Sequence, residues 1–499
     1  MTNKIDISRR EFLRNASLIS AAGSVAAPFA LNLFAMNVAA ASTFTTDYKA
    51  LVCVFLGGGN DHNNMVLATD TPSWNGYLAA RNLGGGASIA LPLANLQTIV
   101  PTTTKIDSVG TRAFGLHPNM GDMKFLFDNQ RAAIVANVGP LIVPLTTRAN
   151  YQSNAFQKPA QLFSHSDQTV QWHSTDPAKQ IYGWGGRMAD NIRLSNAKQN
   201  FSCLSLSGNS VFLAGESINQ YQINSNGTAT AIGGFSNLFG SSGNHLQPII
   251  TTPSSSHLFE IEHAAVVERA RLAQADLTAV MSATSAIAPI GATPVPAPTQ
   301  YQNPNNQLGT LSNNSLATQL QTVARIIQGQ VALGAHRQVF FVTLGGFDTH
   351  DNQATGHADL MARLSHAARY FDTTLAALPV GNMSSNVTLF TASDFGRTFT
   401  SNGDGTDHGW GAHHFVVGGA VKGKEVYGTF PQTEVGSGNP LDIGSGNMIP
   451  TISVDQYAAT LAKWFGLSTG VGSEIASVFP NLANFDSGLY ATTDLGFMV

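Results

Sequence analysis

Four short, continuous and predominantly apolar runs are the clearest structural pattern in this chain. They lie at residues 50–56, 132–138, 339–344 and 387–391. Runs of this length without polar alternation are typical of parallel strands that are buried on both faces of a sheet. We therefore expect a central sheet that is mostly parallel.

Longer segments with helical spacing separate these runs. They are residues 258–283, 316–333 and 357–378. In the second segment, apolar residues recur at Leu316, Leu320, Val323, Ile327 and Val331. Because strands and helices of this kind share one chain, the pattern predicts an α/β fold in which helices cover both faces of the sheet.

Two segments depart from this pattern. Residues 222–255 are rich in Gly and Ser, and residues 286–315 are rich in Pro and Asn. Such compositions are typical of surface insertions. We expect one domain over residues 42–499 that carries these two irregular insertions.

The first 41 residues have the features of an export signal. Arg9-Arg10 precede a run that stays uncharged until Asp47, apart from Glu11 and Arg14 close to the pair, and contains a Val-Ala-Ala-Ala sequence ending at Ala41. Paired arginines before such a run are typical of a twin-arginine signal peptide. Because Pro28 and several polar residues interrupt the run, we expect cleavage rather than a membrane anchor. The predicted partner is the twin-arginine export machinery, and the predicted location is the periplasm or the exterior.

Charge and cysteine content narrow the function further. Charged residues make up 11% of the 499 residues, and the net charge is -4. This composition gives no electrostatic basis for binding nucleic acid. The two cysteines, Cys53 and Cys203, lie in apolar runs. The apolar context favours buried free thiols, although an oxidising compartment also permits a disulfide.

Candidate chemistry follows the predicted strands. Asp61 comes after the first run, Asp348 and His350 after the third, and Asp394 after the fourth. A histidine-rich segment that includes His408 lies shortly beyond. Since the carboxyl ends of parallel strands meet at one edge of a sheet, we expect these side chains to converge. Carboxylates and imidazoles together suit Zn²⁺, Mn²⁺ or Mg²⁺.

Five ordered motifs carry a resemblance to a known family. They are Gly58-Gly59-Asn60-Asp61, Leu116-His117-Pro118, Asp348-Thr349-His350, Ser393-Asp394-Phe395-Gly396-Arg397-Thr398 and Gly405-Thr406-Asp407-His408-Gly409. This set resembles the motifs of the DUF1501 proteins, a bacterial family of unknown function that is often exported by the same signal and is related to the alkaline phosphatase superfamily. The resemblance implies an alkaline-phosphatase-like α/β/α sandwich. Active members of that superfamily bind two divalent metals and hydrolyse or transfer phosphate or sulfate esters.

The resemblance also implies a metal-ligand set. It consists of Asp61, Asp348, His350, Asp394 and His408, around one or two ions. Two residues depart from the pattern. Phe395 stands where the superfamily has a ligand, and Asp394 stands where the family commonly has Glu.

The nucleophile and its neighbours are less closely defined. Ser164 in a Ser-His segment resembles the family's candidate and His165 beside it would orient or bind, while Thr147 is the alternative. Ser164 equally fits the first residue of a helix. Arg397 would either clamp an anionic ester or pair with an aspartate. The sequence thus predicts a metal-dependent phosphate or sulfate ester hydrolase or transferase, with a small-molecule or polymer substrate. The alternative is a non-catalytic binding or assembly protein with the same fold.

Overall fold

The computed structural model describes residues 47–82, 88–175, 181–225, 227, 246–284, 299–470, 472–485 and 494–499. The predicted signal peptide, residues 1–41, lies outside them. So do parts of both predicted insertions.

The described residues contain eighteen strands, numbered here in chain order. They are β1 (Lys49–Gly57), β2 (Val66–Ala68), β3 (Gln97–Ile99), β4 (Ile106–Asp107), β5 (Gly110–Thr111), β6 (Phe114–Leu116), β7 (Ala132–Gly139), β8 (Cys203–Ser205), β9 (Tyr221–Gln222), β10 (Gln300–Gln302), β11 (Leu311–Asn313), β12 (Arg337–Gly345), β13 (Val387–Ser393), β14 (Arg397–Ser401), β15 (Thr406–His408), β16 (Ala412–Val417), β17 (Val426–Tyr427) and β18 (Ile452–Ser453).

The α-helices of the same residues are α1 (His62–Met65), α2 (Thr71–Arg81), α3 (Gly121–Asp128), α4 (Arg148–Gln152), α5 (His165–Ser174), α6 (Trp184–Ile192), α7 (Leu246–Thr251), α8 (Leu258–Ala283), α9 (Ser315–Gln328), α10 (Gln330–Leu333), α11 (Gln353–Ala376), α12 (Val454–Phe465) and α13 (Glu474–Val478). None of the helices in the described part of the chain combines the length and apolarity that crossing a membrane requires.

Nine strands form the central sheet, in the order β17-β7-β16-β13-β1-β12-β8-β9, with β18 beside β7. Strand β16 pairs antiparallel with β13 and with β7, whereas the other pairs in the sheet are parallel. The four apolar runs lie in β1, β7, β12 and β13. The predicted α/β fold with a mostly parallel sheet is therefore confirmed.

Side chains of β1 alternate between two hydrophobic cores, one on each face of the sheet. Val52 and Val54 belong to the core that includes residues of α8, α9 and α11. Leu51 and Phe55 belong to the core that includes residues of α6 and α12. Since a strand must be apolar on both faces to fill two cores, this arrangement explains the uninterrupted run.

The predicted helices form, with changes at their ends. Residues 258–283 are helical as predicted. The segment predicted at 316–333 is divided at Gly329 into α9 and α10, and α11 begins four residues before the predicted start. Asn314 begins α9 because its side chain accepts hydrogen bonds from the main-chain N–H groups of Leu316 and Ala317.

Both cysteines are buried free thiols, as the apolar context predicted. Cys53 lies on β1 and Cys203 on β8, with β12 between them. Two strand spacings amount to about 10 Å, and a disulfide requires Cα atoms within about 7 Å. The sheet order therefore keeps the thiols apart.

The sheet also explains why the candidate residues meet. Gly57 at the end of β1 is in register with Gly345 at the end of β12. Leu56 is in register with Ser393, the last residue of β13. Because the three strands are parallel and end together, the loops that follow them occupy one edge of the sheet.

Candidate metal centre

The loop after β1 passes directly against the loops after β12 and β13. A Cβ atom on Gly58, which has φ +115°, would lie 2.4 Å from the main-chain nitrogen of Asp348. A Cβ atom on Gly59, which has φ +79°, would lie 2.4 Å from the ring of Phe395. Only glycine satisfies both the backbone conformation and the close approach at these positions.

Asp348 is the shared neighbour of three imidazoles. Its Oδ1 atom lies 3.1 Å from Nε2 of His350, and 3.5 Å from Nε2 of both His165 and His408. The Nε2 atoms of His350 and His408 are 2.9 Å apart. One ligand atom each from His165, Asp348 and His408 lies within 4.8 Å of the other two. Ligand atoms around a tetrahedral ion with bonds of about 2.0–2.1 Å lie roughly 3.3 Å from one another, so these three side chains fit one metal ion. His350 lies beside them through its contacts with Asp348 and His408. We call these four side chains the His–Asp cluster.

Two of the imidazoles are fixed by hydrogen bonds at Nδ1. Nδ1 of His165 lies 2.7 Å from Oδ2 of Asp394, and Nδ1 of His408 lies 2.8 Å from the main-chain oxygen of Phe163. Nε2 of His165 is buried and has no hydrogen-bond partner. An unpartnered nitrogen directed at a carboxylate and further imidazoles is what a metal ligand requires, so the residues present fit a divalent ion.

The pKa shifts in the His–Asp cluster favour the protonation states that metal binding requires. Partial burial raises the pKa of Asp348, but the hydrogen bond and charge of Arg397 outweigh it, so that the pKa lies below its ordinary value. Burial lowers the pKa of His408. Metal ligands must be an ionised carboxylate and neutral imidazoles, and both shifts favour those forms.

A family comparison agrees with these motifs. The family model described as protein of unknown function (DUF1501) matches residues 48–452. The chain belongs to the DUF1501 family. No curated protein matches it significantly.

Solved structures resemble this DUF1501 chain only distantly. Ps i-CgsB in complex with k-i-k-neocarrahexaose is 7% identical, with a TM-score of 0.32 over 84% of this chain and 72% of that one. Ps i-CgsB alone is 8% identical, with a TM-score of 0.35 over 87% and 77%. A structure concerning the metabolism of multiple glycosaminoglycans by Bacteroides thetaiotaomicron is 10% identical, with a TM-score of 0.29 over 84% and 73%. Similarity at this level supports no statement about activity.

Arg397 pairs with an aspartate, which is the second of the two alternatives. The guanidinium is buried and contacts Asp348. It also donates to the main-chain oxygens of Gly58, Gly59 and Thr406 at 2.7, 2.9 and 3.0 Å. Because these acceptors already engage its N–H groups, Arg397 joins three loops and supplies charge to the cluster, rather than extending to a ligand.

Asp394 lies behind His165 instead of contributing an oxygen to the His–Asp cluster. Its Oδ1 accepts a hydrogen bond from the N–H of Gly58 at 3.0 Å, and its Oδ2 faces His165. Phe395, the residue that departs from the superfamily pattern, packs its ring 4.6 Å from the rings of His165 and His408. An aromatic side chain here supports two imidazoles although it cannot bind a metal.

The structure does not bring Asp61 into the cluster, contrary to the expectation from the sequence. Its carboxylate is fully buried and forms a two-point ion pair with Arg81, with distances of 2.7 and 2.9 Å. Gln353 donates to it as well, and it accepts from the N–H of Asn63 at the start of α1. The sequence does not predict the role of Arg81, because a basic residue at the end of a partly apolar helix is usually exposed to solvent.

The two candidate nucleophiles begin helices. The hydroxyl of Ser164 caps α5 through Asp167, and that of Thr147 caps α4 through Asn150. Ser164 also donates to the carboxylate of Asp167. Ser164 therefore caps a helix, which is one of the two roles that the sequence predicted for it. Within this segment, His165 is the residue that reaches the His–Asp cluster.

Proposed function

We propose that this protein is an exported metal-dependent hydrolase or transferase that acts on a phosphate or sulfate ester. The proposed ligands of its divalent ion are His165, Asp348, His350 and His408. The convergence of three Nε2 atoms on one carboxylate oxygen supports the proposal, because the buried Nε2 of His165 has no other partner.

The donor set narrows the choice of metal. Three imidazoles and one carboxylate suit Zn²⁺ or Mn²⁺ better than Mg²⁺, which prefers oxygen ligands. Since Arg81 neutralises Asp61 away from the cluster, we propose a single ion per chain.

When bound, such an ion polarises an ester oxygen and lowers the pKa of a coordinated hydroxyl group or water. The protein supplies the geometry for that chemistry. Arg397 keeps Asp348 ionised, and the ring of Phe395 shields one side of two imidazoles from water. The cluster remains open to substrate, because the side chains of Asp348 and His350 are 50% and 44% exposed.

In this proposal Ser164 is the nucleophile, because it directly precedes a ligand at the start of α5. Ser164→Ala is expected to abolish turnover of aryl phosphates or sulfates and to leave the metal content unchanged, since it removes no ligand. Steady-state kinetics and elemental analysis of the same preparation measure both. If turnover survives the substitution, the nucleophile is a water molecule or Thr147 instead of Ser164.

A second candidate function is non-catalytic binding. Two observations favour it: the N–H groups of Arg397 are engaged by the protein, and the hydroxyl of Ser164 is bonded to Asp167. A cluster of this kind would hold a metal without binding an anionic ester strongly. Purified protein loaded with Zn²⁺ or Mn²⁺ and tested against a broad panel of phosphate and sulfate esters distinguishes the two. Metal binding without any turnover would contradict the hydrolase proposal.

Export is tested independently of the site. Replacing Arg9 and Arg10 by Lys is expected to leave full-length precursor in the cytoplasm, because the paired arginines are the recognition element of the signal. Fractionation and immunoblotting of cells that express both forms measure the result. Normal processing of the variant would contradict the twin-arginine route.

A further inference from the structure

His165 and His408 share a feature that the ligand set alone does not explain: each is held at Nδ1 by a group that only accepts hydrogen bonds. We infer that Asp394 and the main-chain carbonyl of Phe163 are positioning groups. They fix the two imidazoles in the tautomer that turns an unprotonated Nε2 towards the metal. This inference rests on the proposed metal site and assigns new roles to residues around it.

Asp394 acts on His165. Both of its oxygens are occupied, one by the N–H of Gly58 at 3.0 Å and one by Nδ1 of His165 at 2.7 Å. Because an ionised carboxylate cannot donate, the proton of a neutral His165 lies on Nδ1 and the lone pair on Nε2. The side chain of Asp394 is 7% exposed, so water competes little for this bond.

The carbonyl of Phe163 acts on His408 in the same way. Its oxygen lies 2.8 Å from Nδ1 of His408 and can only accept. The backbone that presents this oxygen is unusual, because Gln161 and Phe163 have φ values of 50° and 73°. Residues other than glycine rarely adopt this left-handed region. Two such residues directly before α5 allow one segment to supply both the carbonyl for His408 and the imidazole of His165.

The two positioning groups therefore connect three parts of the chain to one site. Asp394 follows β13, Gly58 follows β1, and Phe163 precedes α5. The alternative is that Asp394 is itself a ligand, as the sequence suggested. In the structure, however, Oδ2 of Asp394 faces Nδ1 of His165 while Nε2 of the same ring faces Asp348, so Asp394 lies behind the imidazole rather than beside the other ligand atoms.

The test is Asp394→Asn, with Asp167→Asn as the matched control. The amide that replaces the carboxylate offers one acceptor oxygen to two donors. Because the main-chain N–H of Gly58 can only donate whereas an imidazole can change tautomer, both donors are satisfied when the amide oxygen stays on Gly58 and the N–H₂ group faces Nδ1 of His165, which favours the wrong tautomer. We expect Zn²⁺ affinity, measured by competition with a chromogenic chelator, to fall about 10–100-fold. Asp167 bonds to the hydroxyls of Ser164 and Ser166 rather than to an imidazole, so its variant is expected to bind Zn²⁺ like the wild type.

A second readout separates positioning from structural damage. In metal-free wild type labelled with ¹⁵N-histidine, at a pH where the imidazoles are neutral, His165 and His408 are expected to carry their proton on Nδ1. In Asp394→Asn, only His165 is expected to change tautomer. Two results would overturn the inference: unchanged tautomer and affinity, or lost affinity with an unchanged tautomer, which would make Asp394 a ligand. If the variant does not fold, the wild-type tautomers alone decide. If wild type binds no Zn²⁺, the proposed function fails, while the tautomers still test the positioning.

Discussion

Asp348→Asn is expected to lower the affinity for a divalent ion by more than about 100-fold, beyond the roughly 10–100-fold typical of losing an outer hydrogen-bond partner. Asp348 is the anionic member of the His–Asp cluster, and all three imidazoles face the same oxygen of its carboxylate. An amide removes the negative charge without changing the size of the side chain. Isothermal titration with Zn²⁺ measures the effect.

Asp351→Asn is the matched control for this variant. Asp351 is an exposed aspartate three residues further along the same loop. Its amide variant removes the same charge from the neighbourhood, so a long-range electrostatic effect would appear in both variants. Equal losses in the two variants would contradict a direct ligand role for Asp348, and so would unchanged binding in Asp348→Asn.

The structure distinguishes residues that sequence patterns could identify from those that they could not. Asp348 and His350 were identifiable because they follow β12, and parallel strands end at one edge of the sheet. His408 was identifiable from the histidine-rich segment before β16, which runs antiparallel to β13 and therefore starts at the same edge. His165 was identifiable only through the Ser-His resemblance, since it begins a helix rather than ending a strand. The strands themselves were predictable for a related reason: filling two cores requires an uninterrupted apolar run.

Asp61 shows why position at a strand end does not settle a role. It follows β1 as regularly as Asp348 follows β12, yet its charge is taken up by Arg81. Arg81 lies twenty residues away on α2, and no local sequence pattern predicts that its side chain is buried against Asp61. The supporting contacts of Asp394 and Phe163 were hidden for the same reason, because they depend on how separate loops pack.

Arg81→Met is expected to destabilise the protein by about 3–5 kcal/mol, because it leaves the carboxylate of Asp61 buried and unpaired. Both side chains are fully buried, so water cannot replace the lost partner. Chemical denaturation measures the change in the free energy of unfolding. Asp61→Leu combined with Arg81→Met is the control, since removing both charges is expected to restore much of the stability. A double variant as unstable as the single one would contradict an electrostatic origin.

The same ion pair makes the stability of the fold depend on pH in the acid range. Burial raises the pKa of Asp61, but Arg81 outweighs it and lowers the pKa to about 2. Because the folded-state pKa is depressed, the pair contributes its full stability above the ordinary pKa of about 4 and loses it as the pH falls towards 2. The Asp61→Leu, Arg81→Met variant should therefore show a weaker loss of stability over this pH range.

The same double variant also tests the metal assignment. At neutral pH, the folded double variant should bind as much Zn²⁺ per chain as the wild type. Lost binding there would return Asp61 to the ligand set, whereas retained binding would leave the His–Asp cluster as the metal site.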